Sequence, residues 1–288
     1  MGECGRVLSM KIAPYWVRDV REIGGRAYKL RAVSFHSAQE AQVRLEAKAH
    51  ALEEFHRRGG RTEDVEQLRR KLREAEAQAE GAYEVVVAEP IVRRVDAHNI
   101  ITRNRYGAQV LNSDDTCFLD VDSFAPSIWE RLRGLFAGRL SDEDRLLREL
   151  RLLCATDPSL GVRVYRTGRG WRLLVAGDGL SPDSPRMSEL CRRLRVDAMY
   201  AALCRKQLCW RARLTPKPSR LRMRPCPRTV SSEDTPEAMA EWLEQYARAS
   251  DAVCVCRLVD TLGAGISTPI SALHDEATGA RKADRPLC

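Results

Sequence analysis

From Tyr83 to Leu119 the apolar residues fall in short clusters: Val85-Val86-Val87, Ile91-Val92, Ile100-Ile101, Val110-Leu111 and Cys117-Phe118-Leu119. Charged or turn-forming residues separate them. Runs this short, rich in β-branched side chains, read as strands, and so many in close succession require a sheet. The flanking sequence has a different period. The first 35 residues read as short β segments about a turn at Gly24-Gly25, and Ser37-Ala-Gln-Glu40 has the form of a capping box. It opens an alanine-rich helix expected to run to His56, with Gly59-Gly60 as its stop. A second helix is expected over about 62–80, with Val65, Leu68 and Leu72 on one side, giving an N-terminal helical hairpin.

Beyond the strand cluster, Ser141-Asp-Glu-Asp144 starts a helix expected to reach Ala155. Residues 161–166 and 171–176 form a hairpin about Thr167-Gly-Arg-Gly170. Helices are expected at 185–195 and 197–206, a strand at 208–214 and a proline-rich loop at 215–227. Thr235-Pro236 marks the start of a helix to about Ala249. A strand over 252–259 and a short final helix holding His274 complete the pattern. Strands and helices alternate, so the class is α+β with a mixed sheet. The cut falls between a domain 1–90, of β segments and helical hairpin, and a core 91–288.

Composition sets outer bounds. At 288 residues, 44% hydrophobic and 31% charged, the chain is ordinary globular protein. No apolar run approaches the roughly 20 residues of a membrane span; the first apolar segment is broken by Lys11 and Pro14. Arg6 stands where an N-myristoylation signal requires Ser or Thr. The ten cysteines are scattered, without a C-x-x-C pair. A soluble, cytoplasmic protein with reduced thiols is expected, with no membrane partner.

The charge is concentrated. Residues 192–228 hold twelve basic side chains and one acid (12 − 1 = +11), against +8 for the whole chain, so the remainder sums to −3. Ten of the twelve are arginines, whose planar donor fork matches phosphate. Trp210, Cys209, Leu214 and prolines interleave with them, which marks a folded segment and favours nucleic-acid or phosphate contact over a solvated basic face.

Three elements carry candidate chemistry. Asp120-Val-Asp122 ends the apolar strand 116–121, and residues i and i+2 of a strand share a face. Two carboxylates so placed suit Mg²⁺ or Mn²⁺, the alternative being a cap for the following segment. In Arg163-Val-Tyr-Arg-Thr-Gly-Arg-Gly-Trp-Arg172, a small-residue turn flanked by arginines suits a phosphate nest, with Arg166, Thr167, Arg169 and Arg172 as donors. The alternative is a plain hairpin. In the strand at 208–214, Arg211 and Arg213 share a face with Lys217 just beyond, and Arg205 precedes them. Metal, phosphate nest and basic strand are the parts that phosphoryl transfer needs. His274-Asp275 is read as structural or partner-facing, because neighbours on a helix point about 100° apart.

Two resemblances follow from these motifs. Ile101-Thr-Arg-Asn-Arg-Tyr-Gly-Ala-Gln-Val-Leu-Asn112, Phe118-Leu-Asp-Val-Asp122, Val164-Tyr-Arg-Thr167, Leu203-Cys-Arg-Lys-Gln through Lys217-Pro218, and Leu273-His-Asp275 resemble an uncharacterised family of bacterial proteins. More remotely, residues 95–220 resemble the archaeo-eukaryotic primase (primase-polymerase) superfamily, in which a strand ending Asp-x-Asp is followed by a Ser-x-His hairpin and a third acid. That resemblance implies an RRM-like catalytic core and a metal-dependent nucleotidyltransferase acting on nucleic acid and nucleoside triphosphates. Asp120 and Asp122 would be the metal ligands, and Asp197 the third catalytic acid, with Asp260 and Asp275 as alternatives. Arg166, Arg169 and Arg172 would hold the triphosphate, and Arg205, Arg211, Arg213 and Lys217 the nucleic acid. Arg172 stands where that superfamily has its nucleotide-binding histidine. The rivals are a non-catalytic nucleic-acid-binding protein on the same core, and an Asp-x-Asp phosphatase or nucleotide-sugar transferase.

Overall fold

A computed structural model describes residues 10–59, 86–124 and 140–288, which divide into two compact units. The second predicted helix of the hairpin lies outside the described residues.

One unit comprises Lys11–Ile91 together with Cys226–Trp242. Strands β1 (Tyr15–Ile23) and β2 (Arg26–Ser34) pair antiparallel from Tyr15↔Ser34 to Ile23↔Arg26. Gly24 and Gly25 take φ of 59° and 73°, the left-handed pair that a tight two-residue hairpin turn demands. Helix α1 (Ala38–Arg57) follows, with the Ser37 side chain accepting from the Glu40 N–H. The Glu40 carboxylate does not close the capping box; it accepts from Ser34 Oγ at 2.5 Å and from Arg44 at 2.7 Å. Ile23, Leu30, Ala32, Leu45, Ala49 and Leu52 form the core of the unit. The far edge of β1 is used as well: Arg18 N–H donates to the Val230 carbonyl, and Ser232 N–H to that of Trp16. Segment 226–242, expected in the C-terminal core, therefore belongs with the N-terminal unit because it completes this edge.

The other unit holds 92–225 and 243–288. Its described elements are β3 (Ile91–Arg94), which begins at the unit boundary, β4 (Asn99–Arg103), β5 (Gln109–Ser113), β6 (Cys117–Val121), α2 (Asp142–Thr156), β7 (Gly161–Thr167), β8 (Trp171–Ala176), α3 (Pro185–Arg193), α4 (Ala198–Gln207), β9 (Trp210–Arg213), a 3₁₀ turn (Pro218–Leu221), α5 (Ala238–Asp251, entering from the other unit), β10 (Cys256–Gly263) and α6 (Pro269–Thr278). One sheet has the order β3-β4-β5-β9 and the other β10-β7-β8-β6. In the second, every pairing is antiparallel. β6 and β7 therefore run parallel with β8 inserted between them, a split β-α-β unit with α2 in its connection. Phe118, Leu119, Val164, Leu173, Leu146 and Leu150 are fully buried at its centre.

The class is α+β, as expected, but the sheets are antiparallel rather than mixed, because each sheet is built from hairpins and returning strands instead of parallel crossovers between neighbours. Two boundaries moved. α5 starts at Ala238 rather than at Pro236, whose carbonyl accepts from Met239 N–H in a preceding turn. β10 lies at 256–263, not 252–259, because Cys254 leaves the sheet to bridge Leu287, and the strand resumes across a bulge between Leu258 and Asp260.

Candidate phosphate-binding site

The register of β6 against β8 sets Asp120 directly opposite Arg172. Arg172 is 3% exposed, and its guanidinium is fully engaged. Nε donates to Asp120 Oδ1 at 2.9 Å, Nη2 to Oδ2 at 3.5 Å, and Nη1 to the carbonyl of Arg213 at 2.7 Å. Burial works against the Arg172 charge, but the Asp120 carboxylate outweighs it and holds the guanidinium firmly protonated. Arg172, expected to grip a triphosphate, is thus an internal strut running from β6 through β8 to β9. Tyr200 of α4 makes a parallel tie, its hydroxyl donating to the carbonyls of Phe118 (2.6 Å) and Arg211 (3.1 Å).

The other predicted acids are separately occupied. Asp122 lies exposed beyond the end of β6. The Asp197 N–H donates to the Asp120 carbonyl at 3.2 Å, so the backbone brings these two residues together. The Asp197 carboxylate, however, caps α4 by accepting from Tyr200 N–H at 2.8 Å. Asp260 pairs with Arg151. Asp275 is a buried hub that accepts from Arg163 (2.5 Å), Tyr165 (2.8 Å) and Arg281 (2.8 Å). Burial alone would raise its pKa, but contacts with His274, Arg281 and Tyr165 and the Arg163 charge hold it well below the carboxylate range. Among the described residues no three His, Cys, Asp or Glu side chains gather to hold a metal ion. A carboxylate already clamped by a fixed guanidinium is a poor ligand for a dication, so this donor set does not fit Mg²⁺ or Mn²⁺.

The hairpin turn is self-contained. Thr167 Oγ1 accepts from the N–H groups of Arg169 (3.4 Å) and Gly170 (3.1 Å), which fills the nest that a phosphate would need. Gly170 is required by close approach: a Cβ there would lie 2.2 Å from the Val121 carbonyl oxygen. Arg166 stacks over Trp171 at 4.5 Å and sits 3.9 Å from Glu143, apart from the cations described next.

Those cations are Arg169, Arg213, Lys217 and Arg220. Arg213 is half-buried on β9, alternating with buried Trp210 and Ala212. Burial lowers its pKa first, then the Arg172 charge, with Arg220 adding to the effect; Asp120 opposes them in part. The Lys217 pKa is lowered chiefly by the Arg213 charge, then by burial, with smaller contributions from Arg220 and Arg169. Among the described residues, the side chains of Arg213, Lys217 and Arg169 make no hydrogen bond or ion pair with a carboxylate. Arg220 donates at 2.7 Å to the main-chain oxygen of Cys288, which as the last residue of the sequence carries an α-carboxylate, so Arg220 is paired there. Cations held this close, compensated only in part by Asp120 at Arg213 and by the terminal oxygen of Cys288 at Arg220, favour an added anion. Sequence reasoning missed Arg220; the spacing from Arg213 across Lys217 gave no sign that the 3₁₀ turn would fold it back.

Not every predicted cation joins the cluster. Arg205 is exposed on α4, and Arg211 lies on the β9 face where its charge acts on Cys204. Arg192 and Arg193 are paired with Glu189 and Glu149, and Arg195 lies over the Phe124 ring at 4.7 Å. A cavity of about 370 Å³ lined by Arg103, Tyr246, Asp251, Glu276 and Lys282 contains none of the predicted site residues.

The fold and site define an α+β protein with a cluster of cations, only partly neutralised, at a sheet edge. No family model, curated protein or solved structure matches the chain. Among the described residues no helix is long and apolar enough to cross a membrane.

Proposed function

We propose that this protein binds the phosphates of nucleic acid at Arg169, Arg213, Lys217 and Arg220, on a core of RRM-like, primase-polymerase type that does not depend on metal. The observation that carries this reading is the gathering of Arg213, Arg220 and Arg169 around Lys217, whose pKa their charges lower, with no side-chain carboxylate bonded to Lys217 or Arg213 among the described residues. Such a cluster is relieved by an anion carrying several charges. The split β-α-β unit, with Asp120-Val-Asp122 closing its first strand, supports the remote superfamily relationship, whereas the pairing of β10 with β7 departs from the RRM order, in which the fourth strand flanks the first. In the resemblance Arg172 takes the place of a nucleotide-binding histidine, and here it neutralises Asp120, which supports a binding protein rather than a nucleotidyltransferase.

The test is binding of labelled oligonucleotides and nucleoside triphosphates at low salt, with and without a chelator, beside an assay for nucleotide incorporation with Mg²⁺ or Mn²⁺. Chelator-insensitive binding without incorporation is expected. Arg213→Ala with Lys217→Ala should weaken binding at least tenfold. Incorporation that requires metal and disappears in Asp120→Asn would restore the transferase reading.

A further inference from the structure

The β4–β5 turn places Tyr106 at its tip with 45% of its surface exposed. The loop is braced. Asn104 Oδ1 accepts from the N–H groups of Tyr106 (3.0 Å) and Ala108 (3.2 Å). Asn104 N–H donates to the Ala108 carbonyl at 2.9 Å, and Arg103 Nη1 to that of Gly107 at 3.1 Å. A ring projected into water from a fixed turn contributes little to the core. The guanidinium of Arg105 lies 4.7 Å from the ring centroid and bonds the phenol oxygen. Lys217 Nζ lies 5.8 Å from the same centroid, near the outer limit of a cation–π contact, and so remains available to phosphate. Lys217 belongs to the cationic cluster, so the ring is continuous with it.

An aromatic surface beside Lys217 and Arg213, whose side chains bond no carboxylate among the described residues, supplies both things that single-stranded nucleic-acid binding requires: a stacking platform and a phosphate track. A duplex offers phosphates but keeps its bases stacked on one another. We infer that Tyr106 stacks an unpaired base of a single strand whose phosphates run over Lys217, Arg213 and Arg220, an inference that rests on the phosphate-binding reading above.

The experiment compares an oligothymidylate, an abasic oligomer of equal length and a duplex, by fluorescence anisotropy at low salt. The base-bearing single strand should bind at least about fivefold more tightly than the abasic one, the lower end for one stacked base. Tyr106→Ala should erase that difference while leaving abasic affinity unchanged, and Tyr106→Phe and Tyr106→Trp should keep it. Equal binding of abasic and base-bearing strands, a preference for duplex, or indifference to Tyr106→Ala would overturn the stacking role. Absence of binding by all three probes would instead overturn the phosphate-binding reading.

Discussion

Arg172 and Asp120 form a pair in which one partner is buried and the other is 31% exposed. Removing one member of a buried pair leaves the other uncompensated, which costs about 3–5 kcal/mol in full burial. Because Asp120 reaches solvent, Asp120→Asn should lose less, about 1–3 kcal/mol in urea denaturation. Loss of less than about 0.5 kcal/mol would show that the pair is not structural. His274 carries a pH signature. It is fully buried between Phe118 and Tyr165, and its ring nitrogens make no hydrogen bond, the nearest approach being 3.7 Å to Asp275. Burial first, and then the Arg172 and Arg163 charges, outweigh Asp275 and lower its pKa from 6.5 to about 4. The unfolded chain therefore takes up the proton first, and stability should fall as pH drops from 6.5 towards 4, by up to about 3 kcal/mol. Asp275, held low, begins to lose its contribution at about pH 5 and loses most of it below the ordinary carboxylate value of 3.8, so the stretch above about pH 5 reports His274 alone. Urea midpoints from pH 7 to 4.5 should decline more steeply in the wild type than in His274→Gln; parallel profiles would refute the assignment.

Elements are held to one another by main-chain approach as much as by side chains. Gly170 lies against the backbone of Val121 and Asp122, which cannot yield as a flexible side chain would. Gly170→Ala should therefore separate β8 from the end of β6 and cost at least about 2 kcal/mol, read as a lowered Tm. An unchanged Tm would mean that the turn relaxes freely. The sequence made most elements legible because their apolar periods and caps are local. Ser141 and Asp144 form a reciprocal capping box at α2, and the β7–β8 hairpin falls where its turn residues place it. β10 extends past its expected end at Val259 because its bulge between Leu258 and Asp260 is set by pairing with β7, about a hundred residues away in sequence. The site was legible in residue type but not in partnership. Arg213 was identified from alternation along a strand, and Lys217 from its place just beyond it. That Arg172 would be consumed by Asp120 depended on the β6–β8 register, which no local pattern encodes. Tyr106 went unmarked as a site residue because a tyrosine in a hairpin turn is unremarkable until Lys217 is seen beside it.

At the scale of the whole molecule, the +11 of segment 192–228 does not act as one band. Arg192 and Arg193 are neutralised by glutamates, Arg195 lies on a ring, and Arg228 belongs to the other unit. Of the other eight, Arg213 and Arg220 act on Lys217, joined by Arg169 from the β7–β8 turn, while Arg205, Lys206, Arg211, Arg222 and Arg224 do not. Salt dependence counts such contacts, since each phosphate neutralised on a single strand contributes about −0.7 to the slope of log K against log[salt]. Four contacts predict a slope of about −2.8. Arg213→Ala, Lys217→Ala and Arg220→Ala together should flatten it by about 2, whereas Arg192→Ala with Arg193→Ala should leave it within about 0.5 of the wild type. The variants remove three and two positive charges from the same stretch of sequence, so net charge alone would change the slopes in a ratio of about 3 to 2, well short of the difference expected for a local cluster. A slope that falls equally in both would assign binding to the diffuse field of the basic segment and dissolve the cluster as a site.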